Sequence, residues 1–188
     1  MEKSLQFDQT LSERTVLQGN KEERIEQALR KAGWFPGRKV DISPVLDYYH
    51  NQDIELHDKA VVFFQEYYGI ASQWYIEVTN LNWRADFSFE LFPYPKHYKI
   101  DIKDYMYDDA AYSIESEEYK GVIDFSGEHV IMVGEIGYYY PAHVWIGNSG
   151  KLYATHEYNL DAFIFDTVSQ LILYELSAHE LEAVAMKP

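Results

Sequence analysis

The chain contains no cysteine. That absence removes disulfides, iron–sulfur clusters and thiolate zinc sites together, and it fits a reducing compartment. Long apolar runs are missing too: stretches such as Ala60-Val61-Val62-Phe63-Phe64 fall far below the ~20 residues of a membrane-spanning helix. Residues 1–15 alternate charges with single apolar residues and hold no apolar stretch followed by a small-residue cleavage site. Neither export nor bilayer contact is therefore expected, and the chain is read as cytoplasmic. No serine sits in a Gly-x-Ser-x-Gly elbow, and no glycine-rich loop is suited to cradling a phosphate.

Positive charge is scarce in the second half. Residues 1–100 carry 12 basic and 15 acidic groups, a net of −3, whereas residues 101–188 carry 4 and 16, a net of −12. Such a field repels nucleic acid and anionic lipid. The seven histidines (His50, His57, His97, His129, His143, His156 and His179) include no HExxH pair. His156-Glu157 and His179-Glu180 read as simple neighbours. Metal ligands normally arrive in pre-spaced groups, so these histidines are read as exposed or satisfied core residues, and neither a metal nor a cofactor is expected.

What is present suffices for one globular unit. With 188 residues, 47% of them hydrophobic, the chain can bury roughly 70% of its unfolded surface. Residues 1–18 form a polar leader, and residues 19–188 are read as a single α+β domain. Asn20 and Glu23 stand at capping-box spacing ahead of Ile25, Ala28, Leu29 and Ala32, which repeat at helical intervals. Gly33 is placed to close that helix in a left-handed conformation. Pro36-Gly37 then predicts a type II turn flanked by Trp34, Phe35 and Arg38. Ser43-Pro44 opens a second helix, and Asp58 is expected to cap a third that runs through Phe63, Phe64 and Tyr67 to Gly69.

From Gln73 the pattern changes to alternation with aromatic enrichment, which predicts strands at Trp74–Val78, Phe87–Phe92, His129–Gly134, Ala142–Ile146 and Lys151–Thr155. Gly147-Asn148-Ser149-Gly150 links the last two as a hairpin. Helical spacing returns at Phe163–Glu175. The expected architecture is α+β: a curved, mostly antiparallel or mixed sheet with N-terminal helices and a C-terminal helix packed against it.

The densest acidity lies between Asp101 and Glu128 and is interleaved with Tyr105, Tyr107, Tyr112 and Tyr119. A solvated, solubilising face accounts for the charge alone. Tyrosine beside complementary charge is instead the composition of a binding surface. Asp101, Asp104, Asp108, Asp109, Glu115, Glu117 and Glu118 are the candidate charged contacts, with Tyr105, Tyr107 and Tyr112 as anchors. Tyr138-Tyr139-Tyr140 adds to this reading, because consecutive side chains on a strand point to opposite faces.

The stretch Leu29-Arg30-Lys31-Ala32-Gly33-Trp34-Phe35-Pro36-Gly37-Arg38-Lys39-Val40-Asp41 resembles the opening signature of a subgroup of the SUKH superfamily: a helix, Gly-Trp, then Pro-Gly-Arg. Phe64-Gln65-Glu66-Tyr67-Tyr68-Gly69-Ile70 is similar to the family's helix ending. Val133-Gly134-Glu135 and Ile146 through Tyr153 resemble its later strand pair. Gly33, Trp34, Pro36, Gly37 and Arg38 also have a purely structural reading, since a turn that locks a helix onto a sheet needs an aromatic wedge, a fixed φ and a cation for a buried carboxylate.

The resemblance implies a mixed α+β fold with a strongly curved sheet and no catalytic residue set. It further implies an immunity protein that occludes a cognate toxin, whose domain is expected to be cationic and of nuclease type. A monomer or weak homodimer is expected. Other family members, among them yeast cell-wall regulators, serve as interaction modules, so a regulatory scaffold is the second reading. A small carboxylate-dependent hydrolase is the third, because 31 acidic residues make chance pairs common.

Overall fold

A computed structural model describes residues 15–51, 53–78, 83–91, 117–137, 141–156 and 159–186. The first helix, α1 (Lys21–Lys31), begins with the expected capping box: the Asn20 side chain accepts from the Glu23 amide at 2.9 Å, and Glu23 returns the bond to the Asn20 amide at 2.8 Å. Its buried stripe is Ile25, Ala28 and Leu29, while Glu26 and Arg30 pair on the exposed side at 2.7 Å. At its end Gly33 adopts φ +101°, so that the Gly33 amide reaches Arg30 O and the Trp34 amide reaches Leu29 O. This pair of bonds is the Schellman closure, and the positive φ explains the glycine.

Two further helices, α2 (Ser43–Asn51) and α3 (Asp58–Tyr67), follow. The cap of α3 is His57 rather than the expected Asp58: His57 Nδ1 accepts from the Ala60 amide at 3.1 Å, and its other nitrogen donates to Ile146 O at 3.2 Å. An imidazole can do both jobs in one tautomer, whereas an aspartate there would meet the Ile146 carbonyl with another acceptor.

Among the described residues, eight strands form one sheet: β1 (Thr15–Val16), β2 (Ala71–Val78), β3 (Trp83–Leu91), β4 (Val130–Gly137), β5 (Ala142–Gly147), β6 (Leu152–His156), β7 (Asn159–Phe165) and β8 (Leu181–Met186). Their spatial order is β1-β8-β2-β3-β4-β5-β6-β7, and every described pairing is antiparallel. The register shifts at Tyr75/Ile76, Met132/Gly134 and Ala154/His156. Bulges of this kind sharpen the local twist of a sheet. The expected α+β class is thus the observed one. A fourth helix, α4 (Glu117–Ser126), interrupts the strands between β3 and β4, and a fifth, α5 (Val168–Ala178), connects edge strand β7 to β8, next to the opposite edge.

Three sequence expectations are corrected. Phe163–Phe165 belong to strand β7, and the last helix begins only after Thr167, whose side chain accepts from the Gln170 amide at 3.1 Å. Phe163 and Phe165 repeat at a spacing of two and both pack on Tyr174, with ring centroids 4.9 and 5.3 Å apart, so they cover the helix rather than continue it. Leu181–Met186, expected as no particular element, forms β8 between β1 and β2. Within the stretch read as a leader, Thr15–Val16 pair with β8, Leu17 is buried, and its amide bonds Val184 O at 3.0 Å. Residues 1–14 lie outside the described residues.

Among the described residues the core draws on all five helices and on β2, β4, β5, β6 and β8, with Trp74, Trp145, Phe64, Ile25, Leu29, Ile70, Ile76 and Ile136 fully buried. Both buried indoles are satisfied: Trp74 Nε1 donates to Ser72 Oγ at 2.5 Å and Trp145 Nε1 to Thr155 Oγ1 at 3.0 Å. Arg24 ties α1 to β8 through Glu182 at 2.6 Å and Ala183 O at 3.0 Å.

Candidate functional site

The Gly-Trp and Pro-Gly-Arg signature folds into a clamp on the end of α3. The Arg38 amide bonds Phe35 O at 3.1 Å and Gly37 sits at φ +75°, as a type II turn over Pro36-Gly37 requires. The turn aims Arg38 at two carbonyls, Glu66 O at 2.5 Å and Tyr68 O at 2.8 Å. These are orphan acceptors of a helix C-terminus, where a cation is also favoured by the helix dipole. Trp34 is half-buried, stacks on Tyr67 at 6.3 Å, and donates from Nε1 to the Glu66 carboxylate at 2.9 Å. The expected partner of the arginine was a buried carboxylate; that carboxylate instead serves the tryptophan, and the guanidinium caps the helix.

Of the acidic surface, Asp101, Asp104, Tyr105, Tyr107, Asp108, Asp109, Tyr112 and Glu115 lie outside the described residues, as do Tyr138, Tyr139 and Tyr140. Glu117 and Glu118 open α4. Glu117 is almost fully exposed, with Lys120 one turn on at 2.6 Å. Glu118 turns inward: it accepts from Thr155 Oγ1 and stands 2.8 Å from His143 Nδ1. Burial pushes its carboxyl pKa up, but the hydrogen bonds from His143 and Thr155 outweigh that and hold it below the usual range. Tyr119 likewise packs inward, 5.9 Å from the Trp145 ring.

Odd-numbered residues of β5 and β6 therefore face α4: His143 and Thr155 meet Glu118, Trp145 meets Tyr119, and Tyr153 meets Phe125 edge-to-face at 6.3 Å. The outer side of this layer carries apolar groups that periodicity did not single out. Phe125 is 55% exposed, and so is about half of Ile164, which lies directly across from Tyr153 in the β6–β7 register. Asp124 and Glu117 are exposed on the same helix. Next to it, Glu128 accepts from Tyr153 Oη at 2.5 Å and from the Ser149 amide and hydroxyl at 2.6 and 2.8 Å. These bonds outweigh burial and lower its carboxyl pKa.

His156, by contrast, turns toward α5. There Glu175 is wholly buried, and its Oε2 stands 3.1 Å from His156 Nε2 and 3.8 Å from His179 Nε2. The hydrogen bond to Glu175 raises the His156 pKa above its ordinary value. Glu175 and His179 are spaced four apart and share a helix face, a signal present in the sequence. The third member comes from β6 and became their neighbour only through tertiary folding.

An antiparallel sheet with helices packed against it defines an α+β domain, and its described surface includes a helix face with exposed acidic and aromatic groups. Among the described residues no helix is long and apolar enough to cross a membrane. The family model described as SUKH-3 immunity protein matches residues 21–174, and the chain belongs to that family. Comparison with curated proteins and with solved structures returns no significant match.

Proposed function

We propose that this chain is the immunity partner of a toxin with a cationic, nuclease-type domain, and that it acts by covering that domain's working surface. Family membership supports the immunity role. The observation that supports the choice of surface is the charge asymmetry: the half of the chain that contains α4 holds a net −12. Asp101, Asp104, Asp108, Asp109, Glu115 and Glu117 supply the attracting field, and Tyr105, Tyr107, Tyr112 and the exposed Phe125 supply desolvated anchors. Glu118 contributes by fixing α4 to the sheet through His143 and Thr155. Complementary charge speeds association in a salt-dependent way, and buried aromatic contacts slow release. No bond is made or broken in this mechanism.

The test seeks a toxin domain in the neighbouring reading frames and titrates it with the full-length chain at low and high salt. One-to-one inhibition is expected. Replacing Asp104, Asp108 and Asp109 together with Asn lowers affinity and flattens its salt dependence, while Phe125→Ser raises the dissociation rate with little change in thermal stability. Unaltered affinity in both variants removes this surface from the mechanism. Tight binding that leaves toxin activity intact favours a scaffold role instead.

A further inference from the structure

We propose that His156, Glu175 and His179 form a binding site for one divalent cation of the zinc class. Three donor atoms, one from each residue, lie within 4.8 Å of one another. An ion with tetrahedral bonds of about 2.0–2.1 Å holds its donors roughly 3.3 Å apart. The observed separations of 3.1 and 3.8 Å from Glu175 Oε2 to the two imidazoles bracket that value. Two imidazoles with one carboxylate suit zinc; calcium and magnesium favour all-oxygen surroundings.

A second, independent observation points to a ligand. Glu175 is 0% exposed, yet its Oε1 has no hydrogen-bond partner. Buried carboxylate oxygens are nearly always satisfied, and this one belongs to the same carboxylate whose Oε2 stands beside both histidines. A cation there meets the negative charge that the fold otherwise leaves half-compensated. The site is also built from rigid parts: Glu175 and His179 lie one turn apart at the end of α5, and His156 ends β6 at the register shift. His179 is 44% exposed, which leaves a path for the ion and a position for a water ligand. Bound there, the ion staples the end of α5 to β6, just ahead of the turn at Glu180 (φ +54°) that leads into β8.

The experiment titrates Zn²⁺ into the untagged, chelator-stripped full-length chain, following heat and thermal unfolding. The expected result is one Zn²⁺ per chain, with a Tm rise of roughly 5–10 °C at a hundredfold excess over Kd. Changes beyond the ligand shell of a zinc site cost about 10–100-fold in affinity, so His179→Ala, which removes an exposed ligand, is expected to cost more than ~100-fold. His50→Ala, at an exposed position of α2, binds as the parent does. Glu175→Gln tests the buried carboxylate, and His179→Ala keeps the test decisive if that variant fails to fold. The proposal is overturned if the parent takes up no stoichiometric Zn²⁺, or if His179→Ala binds it equally well; the trio is then an ion pair serving only the fold.

Discussion

Replacing Arg38 separates a structural reading of the Pro-Gly-Arg turn from a recognition reading. In Arg38→Ala the carbonyls of Glu66 and Tyr68 lose donors at 2.5 and 2.8 Å, and the end of α3 loses a cation aligned with its dipole. A hydrogen bond from a charged donor contributes about 1.5–3 kcal/mol in a buried setting. Arg38 is only half-buried, so water replaces part of what is lost, and about 2–3 kcal/mol in total is the reasoned cost. For a chain of this size that corresponds to a Tm decrease of roughly 4–12 °C. Arg38→Lys offers one point donor in place of a planar fork and is expected to recover about half. Trp34→Phe keeps the stack on Tyr67 but drops the bond to Glu66, at a cost of about 1 kcal/mol. Urea unfolding followed by circular dichroism, with toxin affinity measured on the same samples, checks all three. The reasoning fails if Arg38→Ala leaves the urea midpoint unchanged, or if Lys restores it fully. A variant that stays stable but loses toxin affinity would show that the turn is a contact surface.

Two further perturbations have definite signs. A Cβ at Gly147 would collide with the Glu128 carboxylate that organises Ser149 and Tyr153, so Gly147→Ala is expected to cost about 1–3 kcal/mol in thermal unfolding, and adding Glu128→Ala should return part of that loss. Burial is the main reason that the His57 pKa is lowered, with Ile146 O, Glu128 and Asp58 opposing it and His129 assisting. A base depressed in the fold favours the unfolded chain once protons are available. Its contribution is therefore fully present above the ordinary histidine pKa of about 6.5 and is lost as pH falls through the lower folded value. In His57→Asn, which retains an N-cap side chain, stability should fall less between pH 6.5 and 5 than in the parent; identical slopes would refute the assignment.

Much of the chain's local structure was legible in residue order, because its causes act over a few positions. The Asn20–Glu23 capping box, the glycine closure at Gly33, the Pro36-Gly37 turn and the Gly147–Gly150 connection each rest on bonds between near neighbours. Strands β2 to β6 announced themselves by alternation and aromatic content. Tertiary structure decided the rest. Leu181–Met186 is a strand because β1 and β2 offer it two partners far away in sequence. His57 caps α3 in part because Ile146 O, 89 residues on, holds its second nitrogen. Glu118, one carboxylate among many when read in order, is set apart by His143 and Thr155 meeting it across the sheet. His156 joins Glu175 and His179 only because α5 crosses back over β6 on its way to the opposite end of the sheet. Spacing along a chain encodes which neighbours can bond; which distant groups share a site depends on how sheet order and helix crossings bring them together.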